Sequence, residues 1–162
     1  MRLPQLLATL AFPALAGAAL AQQPAFPDPK ELLAVMSANV MRISPSLEYD
    51  RWNANVVLWE MRLKHTPKPD AATLTAMRAT YQTMCDVVAQ IRSPEEKGRW
   101  EANRTLWEAW FADEGMPTPV TKARMRPTLV EMRTNVSAIS APGEAERWRA
   151  NLQLWNLTLM AK

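Results

Sequence analysis

The amino-acid sequence predicts an all-α domain made of three tandem copies of one helical hairpin. Three observations carry that expectation. A block recurs at a step of 48 residues: Arg51-Trp52-Asn53-Ala54-Asn55-Val56-Val57-Leu58-Trp59 returns in register at Arg99–Trp107 and again at Arg147–Trp155. Apolar residues are spaced three and four apart, the signature of one helix face. Thirteen Pro against four Gly punctuate the chain without loosening it.

The first segment reads as an export signal. Residues 1–21 carry Arg2, the apolar run Leu6–Leu20 and the small-x-small ending Ala19-Leu20-Ala21, so cleavage after Ala21 is expected. That run is too short, and too interrupted by Pro4 and Pro13, for a membrane span. Residues 22–162 then form a single domain with repeats at about 30–64, 78–112 and 126–160. Localisation is expected to be periplasmic or secreted.

Each repeat opens on a helix with a narrow apolar seam. Leu33, Met36, Val40 and Ile43 are matched by Tyr81, Met84, Val88 and Ile91, and by Leu129, Met132, Val136 and Ile139. A Ser/Pro turn follows, clearest at Ser93-Pro94-Glu95-Glu96, with Ser placed to cap, Pro at the first helical position and Glu at the third. Ser46 with Glu48, and Pro142 with Glu144, fill the same slots. So short a connection folds the second helix back along the first. Between repeats, Thr66-Pro67-Lys68-Pro69 and Met116-Pro117-Thr118-Pro119 stop the helix, because proline lacks an amide donor and clashes with the preceding turn. Six helices result, stacked either as a solenoid or as a compact bundle.

The second helix of each repeat carries an apolar arc of about half its circumference at 100° per residue. Such breadth suits burial on two sides. Trp52, Trp59, Trp100, Trp107, Trp148 and Trp155 lie on it, with Asn55, Asn103, Asn151 and Arg51, Arg99, Arg147 inside the arc. The favoured reading is packing: Trp fills the groove between units, Asn bonds a connector carbonyl, and Arg pairs with the Glu three residues before it while stacking on an indole. The competing reading makes the Trp and Arg rows a concave surface for a saccharide, peptide or aromatic ligand. A packing solution is needed at every interface, whereas a reactive site is rarely needed three times.

Several chemistries are excluded outright. One Cys and one His rule out intrachain disulfides, Cys-based zinc clusters, paired-imidazole metal sites and covalent haem attachment. No glycine-rich phosphate loop is present. Without Arg2 the net charge falls from +3 to +2, which offers no footprint for nucleic acid. Glu95-Glu96 is explained by capping, and neither it nor Asp113-Glu114 sits where a glycosidase pair would. His65 has no nucleophile beside it. No catalytic residue, metal ligand or cofactor is therefore expected.

Met77/Met84 and Met125/Met132 could offer thioethers to Cu(I), but their seven-residue spacing also puts them on the apolar seam. Function should lie where the copies differ. The candidate binding surface is Trp110, Phe111 and His65, with Arg51, Arg99 and Arg147 if the rows are open. The expected role is that of an exported, non-enzymatic binding or scaffold module for a protein or peptide partner. The alternative is a periplasmic small-ligand binder, and an uncovered end repeat could pair copies through Leu152, Leu157 and Leu159.

Overall fold

The computed structural model describes residues 27–161; the expected export segment, residues 1–21, lies outside them. Six helices follow in order: α1 (Pro29–Val40), α2 (Leu47–Lys64), α3 (Ala71–Val88), α4 (Pro94–Ala112), α5 (Pro119–Ser137) and α6 (Pro142–Met160). There is no strand among the described residues, and no helix is long and apolar enough to cross a membrane.

The local signals act where the sequence puts them. Ser93 Oγ accepts from the Glu96 amide and Pro94 opens α4, while Ser46 Oγ accepts from the Tyr49 amide at the start of α2. Each side-chain cap satisfies one of the orphan donors of a first turn. Helix α6 has Ala141 at the cap and makes no such bond. Helices α3 and α5 begin seven residues earlier than expected, at 71 and 119. Asp70 accepts from the Thr73 amide and Thr118 from the Thr121 amide, so the helices start right at the inter-repeat breaks, α5 on Pro119 itself and α3 just after Pro69-Asp70. Pro127 lies within α5 on its exposed side.

The helices close into a ring. Each packs on its two neighbours in sequence, and α6 packs on α1. The longer side-by-side contacts are α2 with α3, α4 with α5 and α6 with α1; the helices of each expected hairpin meet over a shorter stretch. The arrangement is thus a bundle with approximate threefold symmetry and not an open arc. Closure leaves no free end repeat: Leu152 and Leu159 are buried in the core, and Asn39 of α1 donates to Glu146 of α6 at 3.0 Å. The axis is surrounded by α2, α4 and α6, running in the same direction, whose Cα atoms stay more than 8 Å apart. Tryptophan fills the gap. All seven indoles are at most 1% exposed.

Candidate functional site

The axis is built in layers, each contributed by equivalent positions of α2, α4 and α6. At one end Arg51 bonds Glu96, Arg99 bonds Glu144 at 2.8 Å and Arg147 bonds Glu48 at 2.7 Å. The expected pairing within one helix is therefore replaced by pairing to the next copy, because the buried arc turns each guanidinium toward the neighbouring helix. Next come Trp52, Trp100 and Trp148, whose rings meet edge to face at 4.8–5.0 Å. Edge-to-face contact brings a positive ring edge to a negative ring face, which suits three indoles around one axis.

The middle layer is a cycle of amides. Asn103 Nδ2 donates to Asn55 Oδ1 at 3.0 Å, Asn151 Nδ2 to Asn103 Oδ1 at 3.0 Å, and Asn55 Nδ2 to Asn151 Oδ1 at 3.1 Å. Each of those oxygens also accepts an indole N–H: Trp107 on Asn55, Trp155 on Asn103 and Trp59 on Asn151, at 2.8–3.0 Å. The asparagines do not reach connector carbonyls as expected, since none of them faces outward and all three are fully enclosed. Their amides also approach the sulfurs of Met36, Met84 and Met132 at 3.8–4.0 Å. Those methionines, with Met77 and Met125, are sealed in the core, so the thioether rows offer copper no approach, and no group of three His, Cys, Asp or Glu side chains that could hold a metal occurs among the described residues.

The candidate binding residues separate. Arg51, Arg99 and Arg147 are buried with their carboxylates, and Phe111 is buried against Tyr81 and Trp110 at 5.4 and 5.2 Å. They do not form a surface. Trp110 is buried too, stacked edge-on against Trp107 at 5.5 Å, yet it walls a cavity together with the half-buried His65.

That cavity, of about 310 Å³, sits at the far end of the axis. One helical turn beyond the Trp59/Trp107/Trp155 layer, the 48-residue register reaches positions 62, 110 and 158, which hold Arg62, Trp110 and Thr158. All three line the cavity. This layer is where the threefold symmetry breaks, and following the register by one more turn would have found it in the sequence. Helix α4 ends here in paired turns, with Gly115 N–H donating to Trp110 O and Glu114 N–H to Phe111 O. Gly115 has φ +85°, and a Cβ there would come within 3.0 Å of both Pro69 and Trp110, so only glycine fits.

Arg62 dominates the chemistry of this end. Its guanidinium lies 4.8 Å from the Trp59 ring, 5.5 Å from Trp110 and 5.7 Å from Trp155, and no carboxylate pairs with it among the described residues. Its Nη1 and the Nε1 of Trp110 are enclosed without a hydrogen-bond partner. Burial pushes the Arg62 pKa down to about 9. The neighbouring acids are engaged elsewhere: Glu114 with Lys68 at 2.8 Å, and Asp113 with the Thr118 amide at 2.8 Å; both are held below the usual carboxylate range, Asp113 by the Thr121 hydroxyl and the Thr118 amide, Glu114 by Lys68.

Arg62 is half-buried with Nη1 enclosed, and an unneutralised charge so placed costs stability that cation–π contact only partly returns. Arg62→Met is therefore expected to stabilise the bundle by about 1 kcal/mol in urea unfolding at pH 7. Because the folded-state pKa lies below that of an arginine in the unfolded chain, the unfolded chain binds more protons in the alkaline range above about pH 9. The cost is constant below pH 9 and shrinks as pH rises through it, so the gap between Met variant and parent should narrow toward pH 11. A less stable variant at pH 7 would mean that the indole contacts outweigh desolvation.

No protein-family model, curated protein or solved structure matches this chain.

Proposed function

We propose that the chain is an exported, non-enzymatic binding module that holds a small molecule in the cavity between Arg62, Trp110 and Thr158. The supporting observation is that two enclosed donors without a partner, Arg62 Nη1 and Trp110 Nε1, belong to a layer of the axis where the three copies disagree and both line the cavity. Cavities of this size, largely apolar with a few convergent polar groups, are the usual form of small-ligand sites. Export is supported by the pattern of residues 1–21. A protein or peptide partner along the repeats is less well supported, since the Trp and Arg rows that would contact it are enclosed.

The test is a fragment screen on the mature chain, read by the indole N–H resonances. Fragments are expected to shift the Trp110 signal while leaving Trp59, Trp107 and Trp155 nearly in place, because those three are already bonded to asparagine. A screen in which no fragment moves Trp110 would overturn the small-ligand reading.

A further inference from the structure

We infer that the ligand of this cavity is a small organic carboxylate, with its carboxylate on the Arg62 guanidinium and its apolar body against Trp110 and Met116. The inference rests on the cavity being a binding site. Its first ground is charge. Arg62 and Lys122 line the cavity and no Asp or Glu does. Helix dipoles do not supply the missing negative charge, because the C-terminal ends of α2, α4 and α6 lie beside the N-terminal ends of α1, α3 and α5 and offset one another.

The second ground is the comparison inside the molecule. Arg51, Arg99 and Arg147 are each buried near an indole layer, and each has a glutamate. Arg62, half-buried but with Nη1 enclosed, is stacked on the opposite indole layer with none. Enclosed guanidinium groups are paired as a rule, and the planar fork matches a carboxylate through two parallel hydrogen bonds. A bound carboxylate supplies at Arg62 what Glu96 supplies at Arg51.

The third ground separates an organic acid from an inorganic anion. Phosphate sites gather several backbone N–H groups, often at a helix N-terminus. The first turn of α5, beside the cavity, offers few: Pro119 has no N–H, and the Thr121 amide donates to Thr118 Oγ1. Lys122 Nζ is held by the Ala161 carbonyl at 2.6 Å, so what remains around Arg62 is one guanidinium fork and a mostly apolar wall, which suits a monoanion carrying carbon.

Isothermal titration of the full mature chain with benzoate and hexanoate, each against its uncharged amide and against inorganic phosphate, tests this. At least one acid is expected to bind one to one, at least tenfold tighter than its amide. Arg62→Gln should lose at least tenfold for the acid and change the amide little, with Arg62→Lys in between because it keeps charge and loses the fork. Should Arg62→Gln fail to fold, Lys122→Gln, on the cavity rim, is expected to weaken the acid severalfold and steepen no salt dependence. Equal binding of acid and amide, unaffected at Arg62, would overturn the carboxylate and leave the cavity reading standing. Phosphate binding tighter than either acid would overturn the organic class. Binding of no probe, together with a silent fragment screen, would remove both readings.

Discussion

Asn103→Ala is expected to lower the unfolding free energy by about 3–5 kcal/mol, a large share of what a domain of this size possesses. Asn103 is fully enclosed, and its Oδ1 accepts from Asn151 Nδ2 and Trp155 Nε1. Alanine strands both donors where water does not reach, at about 1–3 kcal/mol each. Asn55 Oδ1 fares better, since Trp107 still donates to it. Asn53→Ala, on the exposed side of α2, should stay within about 0.5 kcal/mol and serves as the comparison in urea unfolding. A loss under about 1 kcal/mol at Asn103 would mean that water enters and repairs the cycle.

Asn103→Asp sharpens the same point through pH. A protonated aspartic acid keeps one donor for Asn55 and the acceptors for Asn151 and Trp155, whereas the carboxylate turns a buried charge toward Asn55 Oδ1. Its folded-state pKa is therefore raised above the unfolded value of about 3.9. Folded protein then binds more protons than unfolded, so stability is retained below about pH 4 and lost as pH rises through the folded-state pKa. A variant whose stability increased from pH 4 to 7 would contradict the closed amide cycle.

The same cycle explains which parts of this protein can be read from its residues. The 48-residue step, the capping serines and the proline stops are local or periodic signals, and they locate six helices. Closure is different. Surfaces that join α2 to α3 and α4 to α5 also join α6 to α1, so a periodic sequence is equally consistent with an open stack until the angle between copies is known. The arginine pairing is hidden for a related reason. Glu48 precedes Arg51 by three residues, and Glu96 follows it by 45; both are equivalent by symmetry, and only the direction in which the buried arc faces selects the second. Trp110 looks extraneous when the repeat is taken to stop at Trp59, Trp107 and Trp155. Aligned with Arg62 and Thr158, it becomes the one axial layer not constrained to be threefold. The carboxylate proposed for that layer rests on which donors are left unpaired, and pairing is a property of the folded chain.

Trp107→Ala is the second large expected effect, at about 3–5 kcal/mol from lost transfer and the cavity left behind. Trp107 is fully buried and touches Trp59, Trp155, Trp110 and Phe111, so one truncation removes contacts in two adjacent layers. Trp107→Phe separates size from polarity. It deletes the bond to Asn55 Oδ1, but that oxygen keeps the Asn103 amide, so no group is orphaned and the loss should be about 1–2 kcal/mol. The second truncation of a ring layer should cost less than the first, because Trp59 and Trp107 lie 4.9 Å apart and the first loss already removes their mutual contact. A Trp59→Ala/Trp107→Ala pair whose losses simply added in urea unfolding would show that the indoles pack against their own helices and not against one another. Destabilisation at Trp107 also has a functional reach: its ring supports Trp110 edge-on, and Trp110 walls the cavity. A Trp107→Ala chain that still folds in the cold should therefore bind the carboxylate probe more weakly, whereas Arg62→Met should be more stable and bind it hardly at all. Opposite movements of stability in two variants that share a loss of binding would place the cost of an unpaired cation on the proposed ligand site and the strength of the fold on the symmetric layers.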